Sequence, residues 1–347
     1  MKLRSEATVA NGSSRATTLT DVARLAGVSV ATASKALNGR AGVRTETRER
    51  VVDVAKRLAF QPNALAKSLL AGRTGTVGLL TSDMEGRFSL PIMMGVEDAF
   101  GAARTSVFLC DARGDSIREQ HHVDALLSRR VDGLIVVGSR TEPRPSLGRG
   151  LPVPVVYVYS PSDHPDDMSL VIDNVAGASL AIQHLVTGGR KRIAHIAGDP
   201  GYQATHDRAR GAEAALDAAG LSLACGRIHY GSWTEAWGRG ATRMLLADEP
   251  AVDAIFCGSD QIARGCLEVL RDQGREIPDD VAVIGFDNWE VLTVNARPEL
   301  TSVDMRLEEL GRRAAQRLYE AIDERMTPGV EMLHCQIVQR GSTIPLN

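Results

Sequence analysis

The chain predicts an all-α helix-turn-helix head followed by an α/β body of two parallel-sheet subdomains. Three observations predict it. A helix–Gly–helix pattern runs from residue 19 to about 58. Beyond Gly72, short apolar runs alternate with helical patterns. The charge changes sign between these parts: residues 1–75 carry 13 Lys+Arg against 5 Asp+Glu, and the remainder 27 against 38.

Residues 1–17 are polar and Gly/Ser-containing, without a hydrophobic signal region, and read as a disordered leader. Residues 18–62 read as the head. Thr20 can cap a first helix, its hydroxyl taking a free backbone N–H, with Asp21 at the positive helix start. Val22, Ala23, Leu25 and Ala26 follow, and Gly27 stops the helix because it tolerates the left-handed conformation. Ser29 or its neighbour restarts a second helix over 30–37, ended by Asn38-Gly39. Ala26, Val28, Ala33, Ala36 and Leu37 are expected inside, leaving Val30, Ala31, Thr32, Ser34 and Lys35 outside. A third helix, capped by Thr45 and carrying Val51, Val52, Ala55 and Leu58, closes the small core. Two short helices across a Gly turn suit major-groove reading by the second. An ordinary helical hairpin has the same outline. The basic charge favours a phosphate-binding surface whose affinity falls steeply with salt.

Pro62 prevents the third helix from continuing, and Asn63 is a good N-cap. Residues 63–74 therefore read as a two-turn helix and linker, too short to be stable alone. Such a helix needs its own copy in a dimer, DNA, or the body to pack on.

In the body, strands are expected at Thr76–Thr81, Ser106–Asp111, 133–138, 155–159, 192–197, 254–258 and 281–286, with a short one at 227–230. Helices are expected at 91–103, 117–129, 175–187, 209–219, 235–247 and 261–273. Short apolar strands separated by helices argue for parallel sheets covered on both faces. The units are too many for one compact sheet, and the Pro-rich polar stretch near 160–168 reads as a break, with a hinge near 160–174. In such sheets ligands sit beyond the carboxyl ends of strands. Residues 82–88, Tyr159, Arg208, Trp233, Ser259, Asp260 and Asp287 fall there. Arg and Asp can clamp neighbouring hydroxyls while aromatic faces cover a ring, a combination suited to a sugar or nucleoside. Against this, Arg208 could be a structural ion-pair partner, Trp233 core filling, and Asp260 a helix cap.

Five cysteines without a CxxC pair read as buried free thiols of a reducing cytoplasm. His121-His122 lacks metal-ligand spacing, and no cofactor or metal is expected. No apolar run reaches membrane-spanning length. Phosphate-loop, HExxH, GxSxG and strand-following GxGxxG patterns are all missing, so catalysis is not expected.

The segments TLTDVARLAGVSVATASKALN (18–38) and QPNALAKSLLAGRTGTVGLL (61–80) carry a specific resemblance. So do VDGLIVVGS (131–139), VIDNVAGASLAIQHLVTGGRKRIAHIAG (171–198), AIFCGSDQIARGCLEVLRDQG (254–274), VAVIGFDN (281–288), LTSVDMRLEELGRRAA (300–315) and VQRGST (338–343). With these the chain resembles the lactose-repressor (LacI/GalR) family of bacterial transcriptional regulators over nearly everything after residue 17. The resemblance implies a periplasmic-binding-protein-like body. Its N-subdomain would span about 75–165 plus 304–333, its C-subdomain about 174–301 plus 334–347. It matches Val30, Ala31 and Lys35 to base-reading positions, Thr32 and Ser34 to positions near bases or phosphates, and Ala66, Lys67 and Leu69 to a minor-groove hinge. Leu69 is suited to wedge and unstack a base step. Thr20, Ser29, Asn38 and Asn63, at element ends, complete the candidate DNA contacts. Ala33 in place of a larger aliphatic and Lys35 in place of Arg depart from the usual pattern, and Lys lacks Arg's two-pronged contact to guanine. The resemblance matches Arg208, Trp233 and Asp287 to effector contacts and sets Phe88, Tyr159 and Ser259 at or near them. It implies a cytoplasmic homodimeric repressor of a near-palindromic operator in double-stranded DNA. The effector would be a small sugar, sugar derivative or nucleoside, with no membrane partner. The alternatives are a solute binder of the same body fold and a corepressor-dependent repressor of nucleoside or purine type.

Overall fold

A computed structural model of the chain describes residues 18–37, 41–58, 60, 73–82, 87–102 and 105–344. The leader expected at 1–17, most of the hinge expected at 63–74, and Asn38, Asn63, Ala66, Lys67 and Leu69 lie outside the described residues. Two compact units divide at Thr74/Gly75.

Among the described residues the first unit holds three helices, α1 (Leu19–Ala26), α2 (Val30–Leu37) and α3 (Thr45–Arg57). α1 starts earlier than expected, with Thr18 rather than Thr20 as its cap. The Thr18 hydroxyl accepts from the Asp21 amide at 3.3 Å, and the Asp21 carboxylate accepts from the Thr18 amide at 3.0 Å. This reciprocal pair needs a residue three positions before the carboxylate, which excludes Thr20. Gly27, at φ 65°, ends the helix as expected. The Ser29 hydroxyl accepts from the Thr32 amide at the start of α2. α3 has Arg44, not Thr45, as its cap residue, without a side-chain bond. Val22, Ala23, Ala26, Ala33, Ala36, Val51, Val54 and Ala55 form the core, with Val28, Leu37 and Leu58 packed around it. Leu25 faces outward.

The second unit contains two sheets. The first takes β1 (Thr76–Thr81), β2 (Ser106–Asp111), β3 (Gly133–Val137), β4 (Val155–Val158) and β5 (Met168–Ile172). With β10 (Gly329–Leu333) they pair in parallel in the order β10-β5-β4-β3-β1-β2. The helices α4 (Ser89–Ala102), α5 (Ser116–Ser128) and α11 (Leu307–Ile322) accompany it. The second sheet takes β6 (Ile193–Ile196), β7 (Ala254–Cys257), β8 (Ala282–Asp287), β9 (Thr301–Asp304) and β11 (Gln336–Val338), in the order β11-β9-β8-β7-β6. Only β11 runs antiparallel. α6 (Asn174–Thr187), α7 (Gln203–Ala218), α8 (Glu235–Asp248), α9 (Asp260–Asp272) and the short α10 (Glu290–Thr293) belong to it. The chain crosses between sheets after Ile172, after Asp304 and between Leu333 and Gln336.

Two expectations are corrected. The first layer does not end at the break expected near 160–168: β5, a full strand of the first sheet, carries it to residue 172, and the crossing falls at the end of the stretch 160–174 expected as a hinge. Residues 227–230 form no strand, only an isolated bridge between His229 and Ile196. One apolar cluster runs from Val77, Leu79 and Ile135 under the first sheet to Phe256, Ile284 and Phe286 under the second. α4 and α11 cross so closely that a β-carbon on Gly95 would lie 1.9 Å from the Glu308 carbonyl oxygen. Among the described residues no helix is long and apolar enough to span a membrane.

Candidate functional site

Two surfaces carry chemistry, one in each unit. In the first unit, α2 buries Ala33 and Ala36, which turns Val30, Ala31 and Lys35 outward and leaves Thr32 and Ser34 half-buried. Val30 is 44% exposed despite being apolar. An exposed aliphatic beside a lysine suits a groove holding thymine methyls and base acceptors. Thr20 and Ser29 are exposed at the starts of α1 and α2. Arg48 of α3 donates to the Ala36 carbonyl at 3.2 Å and so ties down the end of α2.

In the second unit, a cavity of about 340 Å³ opens at the carboxyl ends of strands from both sheets. Phe88, Tyr159, Arg208, Trp233 and Asp287, five of the six residues expected at a ligand site, line it together. The sixth, Ser259, does not. It is fully buried, and its hydroxyl accepts from the Ile262 amide as the cap of α9. Asp260, expected as a possible helix cap, is not one: it accepts from the Ser302 hydroxyl and the Trp289 amide, each at 2.6 Å.

Local sequence explains how the lining is held. Tyr159, one residue past β4, and Asp287, at the end of β8, have φ of 72° and 105°, conformations that non-glycine residues rarely adopt. Around Asp287 the strain is held by three bonds. Asn288 donates its amide to Ser302 at 3.0 Å, Arg340 donates to the Asn288 side chain at 2.9 Å, and Trp289 is fixed on Asp260. Burial, helped by the neighbouring Asp287 charge, pushes the Asp260 carboxyl up to about 8. Burial also drives the Tyr159 phenol well above its usual range and the His195 imidazole, stacked on Phe256, down to about 4.

Arg208 is 3% exposed. Its Nε donates to Asn174 at 2.9 Å, its Nη1 to the Gly258 carbonyl at 2.6 Å, and its plane lies 3.7 Å from the Phe286 ring centre. The Asp287 carboxylate lies 2.7 Å from Arg87 Nη2 and 3.5 Å from Arg208 Nη1. Among the described residues no group makes a well-directed hydrogen bond to either Asp287 oxygen, so both retain lone pairs for a ligand. The Trp233 Nε1 and Thr141 Oγ1 atoms are likewise buried without partners. Phe88 stacks on Tyr159 at 5.1 Å, and Tyr202 meets Trp233 edge-on at 5.8 Å. Buried polar atoms left unsatisfied between aromatic walls are the arrangement of a site for a polar, ring-shaped ligand.

Several lining residues were not singled out from sequence: Ser139, Arg140, Thr141, Tyr202, Gln261 and Trp289. The strand-end rule that selected Tyr159 would have reached 139–141, which lie just beyond β3 and Gly138. Arg87 fell within the selected stretch 82–88 without a role of its own. Asn174 had no signal, since its part depends on Arg208 arriving from another helix. Among the described residues no cluster of metal-ligating side chains occurs.

The comparisons with known proteins cover both units. Residues 18–63 match the bacterial regulatory proteins of the lacI family, and residues 182–343 match a periplasmic binding protein-like domain. The catabolite control protein A of Priestia megaterium is 33% identical over 85% of this chain and 89% of its own. The HTH-type transcriptional regulator CelR of Thermobifida fusca is 36% identical over 92% and 96%. A solved CelR–cellobiose complex superposes with a TM-score of 0.62 at 33% identity, covering 94% of this chain and 99% of that one. With relatives of this similarity along nearly its whole length, the chain belongs to the LacI family of bacterial regulatory proteins and is a sequence-specific DNA-binding transcriptional regulator.

Proposed function

We propose that this regulator is a homodimeric repressor whose two heads, residues 18–62, read the half-sites of a near-palindromic operator. A small sugar-like effector in the body's cavity controls it. The observation that carries the reading is the buried Asp287 carboxylate, shared between Arg87 and Arg208 at the floor of an aromatic-walled cavity. Val30, Ala31 and Lys35 face the bases, with Thr20, Ser29, Thr32 and Ser34 beside them. Asn38 and the hinge residues Asn63, Ala66, Lys67 and Leu69 complete the contact, and Leu69 enters the minor groove. Two-fold symmetry of the dimer is mirrored in the operator.

The cavity binds without turnover. Arg87 precedes α4 beside the first sheet, whereas its partners Asp287 and Gln261 belong to the second-sheet half. A ligand hydroxyl taking Asp287 competes with Arg87 and so alters the balance between two relative settings of the sheets. Such a preference couples the cavity to the operator, typically by about 1–3 kcal/mol. The protein acts in the cytoplasm, where its operator lies. That a CelR relative forms a complex with cellobiose supports a carbohydrate as the effector.

The test is a thermal-shift screen of the full chain against sugars, sugar phosphates and nucleosides, followed by operator titration with the strongest stabiliser. Asp287→Ala is expected to bind operator within about twofold of wild type and to lose the ligand response. Release of operator by the variant at wild-type ligand concentration would remove Asp287 from the site, and a silent screen would contradict the reading as a whole.

A further inference from the structure

Beside the cavity, side chains of the first sheet layer reach across to the second. Arg87 pairs with Asp287 at 2.7 Å and donates to Gln261 at 3.3 Å. A second tie comes from the loop after β3. That loop is fixed to its own layer. The Ser160 hydroxyl donates to the Glu142 carbonyl, the Arg144 amide donates to the Pro161 carbonyl at 2.9 Å, and the Arg144 guanidinium donates to Glu119 of α5 at 2.6 Å. From this fixed backbone the Glu142 carboxylate reaches the second layer, where its Oε1 accepts from the Gln203 amide at 2.8 Å. Gln203 is the first residue of α7, a helix of 16 residues whose own cap residue, Tyr202, makes no side-chain cap bond. A carboxylate of one layer thus takes the capping place on a helix of the other, against its positive end. Beside it the exposed Arg140 lies 4.3 Å from the centre of the Tyr202 ring. The start of α7 matters to the cavity, because Tyr202, Ala204 and Arg208 line it.

We propose that Glu142 is a positioning residue for the cavity: it clasps the first layer to the start of α7 and holds the ligand-free body closed. Its partner is a backbone amide. The partner of Arg87 is Asp287, the carboxylate for which a ligand competes. The Glu142 clasp therefore persists while Arg87 is exchanged, and it keeps the layers together during that exchange. The consequence for ligand entry rests on the cavity being the effector site, whereas the clasp itself is tested without a ligand.

The test follows full-length, ligand-free protein carrying 5-fluorotryptophan by fluorine NMR. The chain has three tryptophans, Trp233, Trp237 and Trp289. Trp289 is the reporter, because it follows β8 of the second layer and its ring centre lies 5.3 Å from the Arg87 guanidinium of the first. Trp237 is the reference, its Nε1 donating to the Ala197 carbonyl within the second layer at 2.9 Å. Glu142→Ala removes the carboxylate. Gln203→Pro removes the amide instead, and proline is well tolerated at the first position of a helix, so α7 keeps its stability. In both variants the closed-to-open ratio is expected to fall about tenfold or more, the loss of one charge-assisted bond. It is read as a Trp289 signal shifted or split toward its position in the unfolded chain, with Trp237 unmoved. Asp115→Ala, which removes the side-chain cap of α5 within the first layer, is expected to lower the melting temperature and leave Trp289 in place. A Trp289 signal unchanged in Gln203→Pro would overturn the clasp and reduce Glu142 to a helix cap. That variant decides the matter even where Glu142→Ala fails to fold. Such a result leaves the effector cavity standing, and a silent ligand screen leaves the clasp standing.

Discussion

Asp287 sits at φ 105° at the cavity, with a guanidinium near each of its two oxygens. Removing its carboxylate leaves buried positive charge unpaired, which is why the ligand response should depend on it so sharply. His195 shows how the same burial acts on a group that touches no ligand. In the fold it is neutral, its Nδ1 at 2.9 Å from the Phe256 carbonyl and its pKa lowered to about 4, against about 6.5 when unfolded. The unfolded chain therefore takes up the proton first as the medium acidifies. The stabilisation is fully present above pH 6.5 and is lost as the pH falls toward 4. Wild type is expected to lose on the order of 3 kcal/mol relative to His195→Asn across that window, measured by urea unfolding at a series of pH values. A difference that stays flat with pH would contradict the burial argument.

At the scale of elements, α4 and α11 meet through Gly95 and Gly311, each lying against the other helix's backbone. Gly95→Ala must push the helices apart and is expected to cost about 1–3 kcal/mol, seen as a melting temperature lowered by several degrees. Gly101→Ala, at the open end of α4 with nothing within 4 Å of its new carbon, should be neutral or slightly stabilising. Equal effects at both sites would show that the crossing is not the constraint. On α2, Lys35→Ala should relax base preference at one operator position in sites selected from random duplex, and an unchanged profile would show that Lys35 reads no base. The elements legible in sequence were those with a continuous apolar run or a clear helical period: seven body strands, six body helices and the three described head helices. β5 was hidden because MSLVI follows a Pro-rich stretch and begins beside polar residues, and its Ser169 is buried only through packing. β10 was hidden because GVEML is half-exposed and its glutamate is held by Arg313 and Arg317 of α11, a pairing no local pattern announces. At α1, the rule for capping was right and the residue wrong, since Asp21 selects Thr18 by reaching back three positions.

For the whole molecule, the charge asymmetry and the order of segments point to one device: a basic reader of DNA joined to an acidic ligand-binding body. The site's floor was legible because strand ends collect ligands in this kind of sheet. Ser259 was misread because its position beyond a strand is also a helix start, where capping claims the hydroxyl. Arg87 escaped because its ion pair with Asp287 joins residues of different sheets and exists only in the assembled fold. The reader should follow counterion release, its operator affinity dropping steeply as salt rises. The most direct test of the account is competition of genomic fragments against random duplex for the full-length chain at moderate ionic strength, with and without small metabolites. The account predicts enrichment of fragments sharing one near-palindromic sequence, with the enrichment altered by a metabolite. Retention of all duplexes alike, under every condition, would contradict it.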